Sequence, residues 1–374
     1  MNERPAARER ILDLAPPAAR AVLGEWLAAR GEAAWRVSQL VPRLWQRPVR
    51  RWEDATELPA ALRSDLDAEW PLGALSLGTR QESSDGTVKY LWRLADGEAI
   101  ESVLIPDGQR RTLCISSQAG CPLQCSFCAT GTMGLRRNLA AWEIAGKVRE
   151  LLLEPGGQTP TNVVFMGMGE PLLNWPGVGP ALTILNHREG LGIGARHITV
   201  STVGILPGMA ELARRSEQFR LAISLHAPTS ELRRTLMPIE RKYRLSDVLA
   251  AARAFPRRVT LEYVLIGGVN DREEDAAALA VLAKGAGAMV NLLPLHPGGA
   301  GGLSMSPKRR MHGFAASLRR RGVEAVLRRS RGLDIAAACG QLRIAAERGE
   351  IDAEPHGDVH EPRRVRRRAH PPGA

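Results

Sequence analysis

Cys121, Cys125 and Cys128, in the run GCPLQCSFCATG, place three of the chain's five cysteines within eight residues. That spacing can wrap three sulfurs around one corner of a small inorganic centre, and it leaves the fourth coordination position without a local ligand. A structural zinc site closes with four ligands, whereas a catalytic centre keeps one position open. Thiolates suit zinc and iron–sulfur clusters equally well. A zinc knuckle would need Cys114 or a distant His to complete it. An odd number of cysteines, three of them clustered, argues against a secreted disulfide scaffold.

The elements that must position these thiols belong to an ordinary folded chain. With 374 residues, 44% apolar and 24% charged, it can bury one large core or two modest ones. No apolar run is long enough to span a bilayer, and the charged start MNERPAARER lacks a signal peptide's apolar segment. The expectation is a cytoplasmic protein with no membrane partner. A net charge of +11 points to a polyanion such as RNA or DNA, or to a merely solubilising arginine excess. The tail from Pro362, PRRVRRRAHPPGA, carries five arginines and no acid. It reads as a disordered electrostatic arm or a dispensable extension.

Residues 1 to about 80 read as helical. Val37, Leu40, Val41, Leu44 and Trp45 share one helical face, with a kink or break expected at Pro42, and Leu58, Leu62 and Leu66 mark a further helix. TVKYLWRL and EAIESVLIP, joined by Ala95-Asp96-Gly97, predict a β-hairpin. From about 111 to 330, strand-like runs (TLCISSQ, NVVFMG, HITVST, RLAISLH, VTLEYVLI, AMVNLLPL, VEAVLRR) alternate with helical stretches. That rhythm predicts an α/β fold with a parallel sheet closing into a full or partial barrel, its chemistry at the C-terminal strand ends. The cysteine run follows the first of these strands, at that mouth.

A CxxxCxxC run opening a (β/α) barrel resembles the radical S-adenosylmethionine (SAM) superfamily. Further along, CISSQAGC at 114–121, CSFCATG, RRNL at 136–139, FMGMGEP at 165–171, VSTVG at 200–204 and SLHAP at 224–228 resemble the RlmN/Cfr family of RNA methyltransferases. So do MPIERKY at 237–243, EYVLIGGVND at 262–271, VNLLPLHP at 290–297, RGLDIAAACGQL at 331–342 and the N-terminal GEAAWRVSQLVPRLW at 31–45. The resemblance covers all but the extreme ends. It implies a partial (β/α)6-type radical SAM barrel over 107–345, a small helical RNA-binding accessory domain over 1–85 and a hairpin linker over 86–106. The basic tail occupies 346–374.

The resemblance also implies roles. Cys121, Cys125 and Cys128 would hold a [4Fe-4S] cluster whose free iron takes the amino and carboxylate groups of SAM. Gly169 and Glu170, in the Gly-rich turn after a strand, would contact the SAM aminoacyl group. Ser201, Ser224, Leu225, His226 and Asn291, at strand ends, would make further SAM contacts. Taken singly, each reads as an ordinary polar or packing residue. Cys339 would accept a methyl group from one SAM, a radical from a second SAM would activate it, and the resulting carbon would add to an adenine ring. Two SAM are used per turnover. Glu101 would take the ring proton, and Cys114 would attack the sulfur of Cys339, releasing product and forming a disulfide. Such enzymes methylate carbon 2 of an adenine in 23S rRNA and an adenine beside the anticodon of some tRNAs, with a reductant such as flavodoxin or ferredoxin. The antibiotic-resistance branch methylates carbon 8. A non-catalytic, zinc-stabilised RNA-binding protein is the reading from a different class. His296, Ala140 and Val203 depart from residues frequent in relatives (Asn, Thr and Ser), at positions expected behind the SAM site or facing RNA.

Overall fold

The computed structural model describes residues 10–73, 75–154, 158–296, 302–337 and 341. Cys339 and the basic tail over 346–374 lie outside them. One ten-stranded sheet runs through the protein. Its first part is antiparallel: β1 (Ser76–Glu82), β2 (Val88–Arg93), β3 (Ala99–Asp107) and β4 (Arg110–Ile115). The Asp96-Gly97 turn joins β2 to β3 as its sequence requires, with Gly97 at φ 86°. Strand β1 falls within the stretch read as helical. SLGTRQE is polar and bears no clean alternation; backbone pairing to β2, with a register shift between Leu77 and Thr79, makes it a strand.

A separate two-stranded ribbon, β5 (Gln118–Gly120) with β6 (Leu135–Asn138), brackets the cysteine loop. From β4 onward the main sheet is parallel, through β7 (Asn162–Phe165), β8 (Ile198–Thr202), β9 (Arg220–Ser224), β10 (Thr260–Leu265), β11 (Met289–Pro294) and β12 (Ala325–Leu327). Helices cross between successive strands, including Ala141–Leu153, Trp175–Asn186, Glu273–Ala286 and Lys308–Arg320. The order ends at β1 and β12 without closing, so this is a partial barrel with six strand–helix units and a short seventh strand. Val163, Val200, Ile223, Leu261 and Val290, which the register places on one face of the sheet, are all fully buried, as a face covered by the crossover helices requires.

Helices Pro16–Ala28, Val37–Leu44 and Ala60–Glu69 form the N-terminal part. Pro42 does not end its helix, which continues for two more residues. One apolar core runs from Leu23, Trp45 and Leu66 into Ile144 and Val148 of the barrel helix. The buried Arg149 fastens this junction by donating to the carbonyls of Leu44 (3.0 Å) and Val49 (2.5 Å). A buried cation without such acceptors would cost several kcal/mol. Asp13 accepts from the Trp142 amide at 3.2 Å, and the Arg10 guanidinium lies 4.9 Å from the Trp142 ring centre.

The turn after β7 is packed onto the end of β4. A Cβ on Gly167 would stand 2.7 Å from the Ile115 carbonyl carbon, and one on Gly169, at φ 95°, would stand 2.5 Å from the Gln118 Cβ. Gly146, inside the helix Ala141–Leu153, has 3.6 Å of clearance. Gly167→Ala should therefore destabilise by about 1–3 kcal/mol. Gly146→Ala should be neutral or stabilise by about 0.5–1 kcal/mol. Urea melts of both variants test the contrast, and equal midpoints would show that the Gly167 turn is not tightly packed.

Candidate active site

The cysteine loop is stitched at its base. The Cys121 amide donates to the Gly134 carbonyl at 2.9 Å and the Ser126 amide to Leu236 at 2.9 Å. Gln124, at φ 54°, turns the chain between the first two thiols. All three thiols line one cavity at the C-terminal ends of the parallel strands. Burial pushes the Cys121 thiol up to about 12, and burial also raises Cys125 and Cys128, with neighbouring thiols adding to the rise at Cys125. Thiols in this state ionise only when an electropositive centre arrives to bind them. Among the described residues, no three His, Cys, Asp or Glu side chains meet closely enough to hold a single metal ion. A zinc ion would draw its sulfurs to roughly 4 Å from one another, given zinc–sulfur bonds near 2.3 Å. The three thiols share one cavity wall, and such soft donors suit an iron–sulfur cluster. Cys114, the zinc alternative's fourth ligand, lies in another apolar cluster, with Val103, Met168 and Ala337.

Gly169 and Glu170 line the same cavity. The Glu170 carboxylate is buried and already accepts two backbone amides, Leu172 at 3.1 Å and Val203 at 2.9 Å. Its own amide donates to Gln118 Oε1 at 2.8 Å. Burial pushes its carboxyl up to about 7 against these hydrogen bonds. A carboxylate has lone pairs left for a third donor such as an ammonium. Val203 is held from the other side as well: the buried Arg233 donates to its carbonyl at 2.5 Å and is itself paired with Glu240.

Ser201, Ser224 and His226 also line the cavity, and the two serine hydroxyls are 3.4 Å apart. His226 has a left-handed backbone, at φ 57°. Its Nδ1 accepts from the Val264 amide at 3.0 Å, which leaves Nε2 to carry the proton of the neutral ring. Burial, with Arg233 nearby, lowers this imidazole to about 3, so it is a neutral donor. Leu225 is fully buried and stands behind the wall, its amide donating to the Glu262 carbonyl at 3.0 Å. Asn291 also stands one layer back, donating from Nδ2 to Glu262 Oε1 at 2.9 Å. Glu262 itself faces the cavity, and its sequence gave no sign of this beyond an acid in an apolar strand. His296 and Val203, expected behind the site or facing RNA, both line the cavity. Arg328, absent from the expected set, does so too.

The remaining expected residues sit on the antiparallel extension. Cys114 pairs with Val103 across β4 and β3, and Glu101 lies two residues along β3 on that same face. Glu101 is buried. Ala337 packs with Cys114, Val103 and Met168, and Lys89 Nζ reaches the Ala336 carbonyl at 3.5 Å. None of the described cysteines is joined to another by a disulfide. Ser116 ties the two regions together: its hydroxyl donates to the Glu101 carbonyl at 2.7 Å and accepts from the Met168 amide at 3.0 Å.

Residues 115–280 match the radical SAM superfamily. A protein from Gemmatimonas aurantiaca named "Probable dual-specificity RNA methyltransferase RlmN" is 61% identical over 94% of this chain and 98% of its own length. A dual-specificity RNA methyltransferase RlmN from Anaeromyxobacter dehalogenans is 45% identical over 88% of this chain and 91% of its own. The crystal structure of a radical SAM methyltransferase from Sphaerobacter thermophilus superposes with a TM-score of 0.83 at 43% identity, covering 89% of this chain and 99% of that one. Identity at this level along nearly the whole length, on a barrel whose three thiols share one open cavity, settles the lineage: the chain belongs to the RlmN family of radical SAM RNA methyltransferases.

Proposed function

We propose that this enzyme methylates carbon 2 of an adenine in 23S rRNA and of an adenine beside the anticodon of some tRNAs, using two SAM per turnover. The observation that carries this reading is the face shared by Glu101 and Cys114, against which the chain packs two residues before Cys339. A base and two thiols are what methylene transfer to a ring carbon requires, and simple methyl transfer requires none of them. Relatives named for dual specificity support two RNA targets.

Cys121, Cys125 and Cys128 hold the [4Fe-4S] cluster, and Gly169, Glu170, Ser201, Ser224, Leu225, His226 and Asn291 frame the SAM site, Leu225 and Asn291 from behind the wall. When bound, the reduced cluster supplies the electron that cleaves the sulfonium, and a flavodoxin or ferredoxin delivers it. Cys339 carries the one-carbon unit to the adenine. Glu101 removes the ring proton; its buried position beside Lys89 keeps water from competing for that proton. The Cys114 thiolate then attacks the sulfur of Cys339, the carbon–sulfur bond to product breaks, and a disulfide is left. That bridge would exist only after turnover.

The RNA is met by the basic surface and the N-terminal helices. Trp35 is 59% exposed with the Arg36 guanidinium 4.9 Å from its ring centre, an arrangement suited to stacking on an unpaired base.

Two sets of measurements test this reading. Purified without oxygen, the protein should be brown and contain iron and sulfide, and Cys125→Ala should lose both. Cys339→Ala and Cys114→Ala should keep the iron and yield no released methyladenosine. A colourless protein with one zinc would sink the catalytic reading, and nucleosides containing only 8-methyladenosine would move the activity to carbon 8. Trp35→Ala should weaken binding of an rRNA fragment by about 1–3 kcal/mol with an unchanged salt slope. Unaltered affinity in anisotropy titrations would remove Trp35 from the RNA surface.

A further inference from the structure

A second recess lies beside the thiol loop, apart from the cavity described above. It is lined by Gln124, Cys125, Ser126 and the run 131–134, and no residue of β7 to β12 takes part. Gln124 and Thr132 are exposed at its edge. Cys125 lines both hollows. Gly131 is pressed against this thiol's own backbone: a Cβ there would stand 3.1 Å from the Cys125 nitrogen and 3.2 Å from its oxygen. Little but main chain therefore stands between the recess and Cys125.

The surface around the recess is basic. The chain from Cys121 to Trp142 holds no Asp or Glu, and its Arg136 is exposed. The Ser126 amide, donating to the Leu236 carbonyl at 2.9 Å, seats the recess against the segment 230–244. Arg234, Arg241, Lys242 and Arg244 of that segment are exposed, and none is ion-paired with a described residue. Its two acids are the exposed Glu231 and the buried Glu240, which is committed to Arg233. Leu135, 43% exposed, follows directly on the recess and adds an apolar spot inside a charged rim, the usual layout of a protein contact. The proposed chemistry needs an electron from outside. The cavity mouth must admit SAM and the adenine, so a carrier seated there would compete with both. Electron transfer weakens steeply with distance, which favours a surface close to a thiol and clear of the substrates. A basic rim would also attract RNA, but a wall shared with Cys125 offers RNA nothing and offers an electron carrier a short path.

We propose that this recess and its basic rim are the docking face for a small acidic flavodoxin, whose electron enters on the Cys125 side. This rests on the reading of the three thiols as cluster ligands. The carrier's anionic flavin hydroquinone gives up one electron and becomes the neutral semiquinone; the cluster is reduced by that electron, and no proton moves and no bond breaks. The test is equilibrium binding of labelled, oxidised flavodoxin to the full-length, cluster-loaded protein without oxygen, read by anisotropy. Binding by the wild type should weaken about 10-fold or more between about 0.05 M and 0.5 M salt. Arg234→Glu combined with Arg241→Glu and Lys242→Glu should weaken it about 10- to 100-fold at low salt. Reversing the exposed Arg188, Arg309 and Arg320 to Glu should cost less than about 3-fold. The first triple variant should keep its iron, its affinity for an rRNA fragment and its methyladenosine formation with dithionite, and should slow about 10-fold or more when flavodoxin is the reductant. A wild type that does not bind flavodoxin, or binds it without response to salt, overturns the proposal with no variant needed. Equal losses in the two triple variants overturn it as well. A first variant that loses RNA affinity and keeps flavodoxin affinity gives the rim to RNA and overturns it too. A protein that cannot be loaded with iron would instead overturn the cluster reading. Flavodoxin binding as expected, without methyladenosine in treated RNA, would overturn the proposed activity and leave the docking face in place.

Discussion

The buried carboxylate of Glu170 is the constraint around which the site is built. An acid placed among apolar strand ends is costly unless donors surround it. Here the donors are backbone amides from its own turn and from the loop after β8, and its own amide is held by Gln118 at the start of the cysteine ribbon. One residue, through its carboxylate and its own amide, therefore ties three segments together: the ribbon that brackets the thiols, the Gly-rich turn and the Val203 loop. Arg233 and Glu240 secure the last of these from behind. The glycines follow from the same closeness, since a Cβ at 167 or 169 would strike the backbone or side chain that the turn lies against.

The thiol wall carries a complementary tension. Three sulfhydryls are enclosed where burial keeps them protonated, so the loop is stable as a neutral apolar surface. An iron–sulfur centre held by these thiols would exchange their protons for metal charge. Such a loop needs external bracing, because the thiols themselves contribute no cross-links before loading. The β5–β6 pairing and the Ser126–Leu236 hydrogen bond provide it.

Much of this was legible in the chain because the signals are local. The cysteine spacing, the FMGMGEP turn and the alternation of strand and helix each lie within a short window, and all appear where expected. What escaped depends on cross-strand register or on tertiary pairing. Strand β1 is polar and exists by virtue of β2. Glu262 looks like one acid in an apolar run until β9 and β11 place Ser224 and Asn291 beside it. Asn291 was legible as a strand-end polar residue, yet whether it touches the cavity or supports Glu262 is decided by a neighbouring strand. His296 and Val203 face the cavity because of how the strand-end loops fold back, which no short window records.

Under the proposed function the two halves of the chemistry occupy different parts of one sheet: the thiol Cys114 and the acid Glu101 on the antiparallel extension, the cavity lined by the three clustered thiols on the parallel barrel. Their separation is set by Ser116, bonded to the Glu101 carbonyl on one side and the Met168 amide on the other, with Lys147 donating to its carbonyl at 3.1 Å from below. Continuous sheet, rather than an interface between two bodies, spans the gap. On that reading a hinge there would let Glu101 and Cys114 drift from the reacting carbon, and a displacement of about 1 Å can cost two orders of magnitude in rate. The segment joining the two regions is thus held by buried, reciprocally satisfied hydrogen bonds.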